Sequence, residues 1–100
     1  LVFATTQEKD LRGMLGRLAG CFDHVILTRY LNNPRGVPPE ELAEVALELT
    51  GHRYRICGDP AQAWSEILAL AAPDDLICVT GSFFIAAEMR HEIRTRPLSF

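Results

Sequence analysis

The stretch "DDLICVTGSFFIAAEMRHEIR", residues 74–94, changes character within three residues. Leu76, Ile77, Cys78 and Val79 make a short apolar run of the kind that forms a strand buried on both faces. Thr80, Gly81 and Ser82 are small and polar, and from there the spacing predicts a helix over 82–93. The unit is therefore a strand, a tight polar corner and a helix.

Working outward, the same alternation occurs three more times. Apolar runs predict strands over 1–5, 24–28 and 53–57, with a fourth over 76–80. After the first, Leu11, Met14, Leu15 and Leu18 recur at helical spacing within 8–19, and Thr5-x-x-Glu8 offers a capping box. Pro38-Pro39 opens a second helix, Leu42, Val45, Ala46 and Leu49 form its stripe, and Gly51 supplies the stop. Asp59 as N-cap and Pro60 at the first helical position open a third, with Trp64, Ile67, Leu68 and Ala71 facing inward. The final residues, 94–100, are expected to fray. Four strand–helix units predict an α/β fold, with a mainly parallel sheet, helices on both faces and right-handed crossovers. A length of 100 residues suits a single domain. The long connection, 29–38, holds two Asn, two Pro, one Gly and two Arg, and reads as a structured loop.

Composition narrows the function classes. Hydrophobic residues at 48% and charged residues at 23% are ordinary globular values. A net charge of −3 argues against a nucleic-acid partner, which needs a basic face. No apolar run approaches the roughly 20 residues of a membrane-spanning helix. Cys21, Cys57 and Cys78 include no C-x-x-C pair, so neither a disulfide framework nor a zinc site is expected, and a reducing, cytoplasmic setting is. The chain opens directly in a strand and without Met, which leads us to expect a domain cut from a longer polypeptide.

In parallel α/β sheets ligands bind beyond the carboxyl ends of the strands. Those ends carry Thr5 to Asp10, Thr28-Arg29-Tyr30 with Asn32 to Arg35, Gly58-Asp59, and Thr80-Gly81-Ser82. This set suits a ligand with carboxylates or phosphates, although loops are polar in any case. Lys9, next to Asp10, sits in the first turn of the predicted helix and opposes its dipole at a cost of about a few tenths of a kcal/mol. It reads either as a point charge for a substrate carboxylate or as a solvated lysine paired with Glu8 or Asp10. Arg29 and Arg35 bracket the long loop; a guanidinium there can clamp a carboxylate, or Arg35 can tie the loop's own carbonyls. Gly81 and Ser82 permit close backbone approach at a helix start and can serve as an anion site, or as an ordinary cap. Phe83 and Phe84 read as core. No phosphate loop, dinucleotide fingerprint or nucleophile elbow occurs, and His24, His52 and His91 lack metal-ligand spacing.

Three segments, "LVFATTQEKD", "VILTRYLNNPRGVPPEEL" and "DDLICVTGSFFIAAEMR", resemble in order and spacing the carboxyl-terminal domain of the folylpolyglutamate synthase/dihydrofolate synthase enzymes, members of the Mur ligase superfamily. The resemblance covers roughly residues 1–90. It implies a Rossmann-like domain of an ATP-dependent ligase, which phosphorylates a carboxylate of dihydropteroate or folate and joins L-glutamate to it, with magnesium on the nucleotide phosphates. In such enzymes a separate central ATPase domain holds ATP and Mg. The resemblance implies that Lys9 and Ser82 hold the glutamate carboxylate, with Asp10, Arg35 and Gly81 beside them. The family's D-G-A-H-N segment is absent from this sequence, and Ala4 stands where a glycine is common. The resemblance thus implies a chain lacking the family's first strand and helix, inactive alone and prone to self-association through an exposed edge. Two other readings are a cell-wall amino-acid ligase of the same superfamily and a non-catalytic α/β ligand-binding module.

Overall fold

Alternating side chains of the first two strands are buried on opposite faces of one sheet. Leu1, Phe3, Val25 and Leu27 join Leu15, Val37, Leu42 and Ala46 in one cluster; Val2 and Ile26 join Cys57, Ala63, Trp64, Ile67 and Met89 in another. The computed structural model describes residues 1–7, 9–32 and 34–95, with Phe83 by its backbone alone. The strands are β1 (Val2–Phe3), β2 (Ile26–Leu27), β3 (Arg55–Ile56) and β4 (Val79–Thr80). The helices are α1 (Leu11–Leu18), continued by a 3-10 turn at Ala19–Cys21, α2 (Pro39–Thr50), α3 (Pro60–Leu70) and α4 (Phe83–Thr95).

All the strand pairs are parallel, and the order is β3-β2-β1-β4. The helix α1 packs on α2, and α3 on α4. With the two clusters this covers both faces of β1 and β2, as continuous apolar strands require. By contrast, β4 is only half-buried and Leu76 before it is 84% exposed, against the expectation of a strand buried on both faces. The regular strands are shorter than the apolar runs, but ladder bonds reach past them: Val2 N–H donates to the Cys78 carbonyl (2.8 Å), and Thr28 N–H to that of Phe3 (2.9 Å). The outer strand β3 is exposed at both residues, and Arg55 pairs with Glu66 of α3. Its exposure agrees with the polar residues of that run.

The proline and glycine signals place α2 and α3 where expected. Gly51 ends α2 in the left-handed region at φ 76°, and Asp59 caps α3 by accepting from Gln62 N–H at 2.7 Å. The start of α1 differs from expectation. Its cap is Asp10, which accepts from Gly13 N–H at 3.1 Å, and the helix begins at Leu11. Thr5 stands five residues before that cap, and its hydroxyl donates to the Gly81 carbonyl at 2.8 Å. The box partner Glu8 lies outside the described residues, as do Asn33 and the end of the tail, 96–100. Lys9 consequently precedes the helix and does not sit in its first turn against the dipole.

Phe84 corrects another expectation. It is 42% exposed, its ring 5.5 Å from that of Tyr30 in the long loop, while Ile85 and Met89 carry the buried face of α4. The side chain of Phe83 lies outside the description.

Candidate functional site

From β1 the chain winds outward through β2 to β3, then returns to place β4 on the other side of β1. The order reverses between β1 and β4, and α/β sheets open a crevice at such a point, beyond the carboxyl ends of the strands. The segments leaving β1 and β4 there are 4–10, with Lys9, and 80–82, with Gly81 and Ser82.

The two segments are bound to each other. Gly81 has φ +119°, and a Cβ built on it would stand 2.2 Å from the Ala4 carbonyl oxygen. Its own carbonyl accepts the Thr5 hydroxyl. The close approach that glycine permits is therefore an approach to β1 of its own chain. Ser82 follows, half-buried, and its hydroxyl oxygen accepts from Ile85 N–H at 3.4 Å, a long bond. Accepting through a lone pair leaves the hydroxyl hydrogen available to donate, so one side chain can cap α4 and still face an anion.

A third segment joins them. Gln7 N–H donates to the Arg35 carbonyl (3.0 Å), Val37 N–H donates to that of Thr5 (2.9 Å), and Thr6 and Gly36 form an antiparallel bridge. The loop carrying Arg35 is thus laid along the segment carrying Lys9. Both side chains are exposed, and Lys9 forms no ion pair among the described residues. Arg29 points elsewhere in function: its Nε donates to the Gly58 carbonyl at 2.8 Å, tying the loop's start to the end of β3. Thr28 makes the same connection, donating to the Cys57 carbonyl at 2.9 Å. Burial, and secondarily the charge of Glu66, pushes the Cys57 thiol above its usual range.

Sequence reasoning missed two contributors. Thr5 looked like half of a helix cap, and nothing local reveals a partner 76 residues away. Glu88 stood in the quoted segment without a role, yet its carboxylate accepts from the backbone of the long loop. A cleft of about 440 Å³ between α3 and α4 is lined by Leu31, Asp59, Pro60, Ala87 and His91 among others, and neither Lys9 nor Ser82 lines it.

Among the described residues no three His, Cys, Asp or Glu side chains are grouped to hold a metal ion. The chain also has no phosphate loop, so its residues do not by themselves fit a nucleotide–magnesium pair. No described helix is long and apolar enough to cross a membrane.

Known proteins resemble this chain over most of its length. The family model for the Mur ligase glutamate ligase domain matches residues 1–83. A probable bifunctional folylpolyglutamate synthase/dihydropteroate synthase of Haloferax volcanii is 33% identical over 90 residues, 90% of this chain and 10% of that protein. Among solved structures, the folylpolyglutamate synthase of Mycobacterium tuberculosis complexed with ADP and AMPPCP superimposes with a TM-score of 0.71 at 27% identity, over 98% of this chain and 24% of that one. The bifunctional folylpolyglutamate synthase/dihydrofolate synthase of Yersinia pestis, complexed with AMPPNP and Mn ion, gives 0.74 at 25% identity, over 93% and 21%. The chain spans a tenth to a quarter of the length of these relatives.

Proposed function

The chain belongs to the Mur ligase family through its glutamate ligase domain, and on that premise we propose that it binds L-glutamate as the carboxyl-terminal domain of a longer ATP-dependent ligase, acting on dihydropteroate or a folate. The observation that supports this reading best is the meeting of the Lys9 and Ser82 segments at the β1/β4 reversal. A cation and a hydroxyl donor on adjoining strand ends make a site for a carboxylate, and glutamate brings two.

In the proposed reaction the acceptor carboxylate is first converted to an acyl phosphate. The glutamate nitrogen attacks the acyl carbon with its lone pair, the C–O bond to phosphate breaks, and the amine loses a proton as the amide forms. The ammonium of Lys9 attracts a glutamate carboxylate as a point charge, and the Ser82 hydroxyl donates to it. Holding both turns attack on the acyl phosphate into a positioned step. Arg35 lies on the loop whose backbone pairs with the Lys9 segment. ATP and magnesium would belong to a central domain outside this chain, which supplies phosphoryl transfer.

The test uses the complete ligase. Labelled glutamate is offered with ATP and magnesium alongside dihydropteroate, a reduced folate, or a cell-wall acceptor. Incorporation into the pterin compounds is expected, with ADP formed in equal amount. Incorporation into the cell-wall acceptor alone, or none at all, would overturn the reading.

A further inference from the structure

The loop 29–38 is held at both ends, by Arg29 and Thr28 to the end of β3 and by Arg35 and Val37 to the end of β1. Between those ends the Glu88 side chain of α4 takes hold of its backbone. Glu88 accepts from Leu31 N–H at 2.6 Å through one carboxylate oxygen, and from Asn32 N–H at 2.9 Å through the other. These partners lie 57 and 56 residues apart in sequence, so the contact is purely tertiary.

We propose that Glu88 is a positioning residue, which clamps the Arg35 loop onto the helix that Ser82 caps, so that the two sides of the crevice keep one fixed spacing. The role rests on the glutamate-ligase reading above. Glu88 is six residues beyond Ser82 on the same short rod, and the amides it holds are three and four residues before Arg35. Leu31 is 60% exposed and Asn32 is exposed too, so water can satisfy both amides once the clamp is gone. Loss of the clamp therefore costs the fold little but frees the middle of the loop. Misplacement of a substrate-holding group by about 1 Å can cost up to about a hundredfold in rate. The geometry favours a carboxylate: the two amides use different oxygens, and in the same pose a glutamine would turn its NH₂ toward one of these donors.

The decisive variant is Glu88→Gln, with Glu88→Asp as the partial restoration. In the chain, amide hydrogen exchange at Leu31 and Asn32 is expected to accelerate about tenfold or more in Glu88→Gln, while the α2 and α3 amides and the unfolding midpoint stay unchanged. In the complete ligase, kcat/KM for glutamate is expected to fall about tenfold to a hundredfold, with Glu88→Asp recovering part of it. Unchanged exchange at Leu31 and Asn32 overturns the clamp. Faster exchange with kcat/KM intact overturns its positioning role, and faster exchange at every amide with a lower midpoint makes Glu88 a structural residue only. A wild-type ligase that does not join glutamate overturns the functional reading, and the exchange data still report on the clamp.

Discussion

The corner after β1 and the corner after β4 both carry a strand into a helix, yet they use their polar groups differently. After β4, Gly81 is pressed against the Ala4 carbonyl, its own carbonyl takes the Thr5 hydroxyl, and Ser82 caps α4. Nearly every group there holds the fold together. After β1, Asp10 has taken over the cap, and Lys9 is left exposed ahead of the helix without an ion pair among the described residues. One corner is a joint and the other presents a charge; in the proposed glutamate site the first would be the built side and the second would supply the cation.

The largest expected effect comes from breaking the joint. Gly81→Ala must place a Cβ into the Ala4 carbonyl at a φ that side chains rarely adopt, and we expect a loss of about 2–4 kcal/mol in urea unfolding. A loss below about 0.5 kcal/mol would show that the corner can relax, and the contrast with the β1 corner would disappear. Next is Thr5→Val, which leaves the Gly81 carbonyl without its hydroxyl donor; about 1–2 kcal/mol is expected from the same measurement. Asp10→Ala removes the α1 cap at an exposed site and should cost about 1 kcal/mol, with the loss of helicity confined to α1 amides in hydrogen exchange.

How much of this was legible in the sequence depends on how local each signal is. Both ends of α2 and the start of α3 were written in Pro38-Pro39, Gly51, Asp59 and Pro60, because each residue acts on backbone within a turn of itself. The two-faced burial of the first strands was written in their unbroken apolar runs. The start of α1 was misread because Thr5-x-x-Glu8 satisfies a local pattern, while the Thr5 hydroxyl answers to a carbonyl brought near only by the parallel pairing of β1 with β4. Phe84 read as core because hydrophobicity alone does not say which face of a helix meets a loop; it sits against Tyr30 at the surface. The strand order, which sets the polar ends after β1 and β4 side by side, has no signature in any single segment. Lys9, Gly81 and Ser82 were named from the sequence, but only the order of the sheet places their segments together.

The smallest expected effect lies at a third strand end, after β3, where Thr28 holds the Cys57 carbonyl. The buried Cys57 thiol has its pKa raised in the fold, so the folded state keeps its proton more tightly than the unfolded chain. The resulting stabilisation is full below the ordinary value of 9.0 and is lost as pH rises through the folded value. Measured between about pH 7 and about pH 10.5, the stability advantage of the parent chain over Cys57→Ala should shrink at the alkaline end. A constant difference would place the titration elsewhere.

The most direct test is Lys9→Ala, measured for two quantities at once. Removal of an exposed charge with no described partner should change the unfolding free energy of the chain by less than about 0.5 kcal/mol. In the complete ligase the same change should raise the KM for glutamate about tenfold or more, as loss of a charge-assisted contact to a carboxylate does. A KM for glutamate that stays put, or a stability that falls with it, would contradict the division between a corner that is built and a corner that binds.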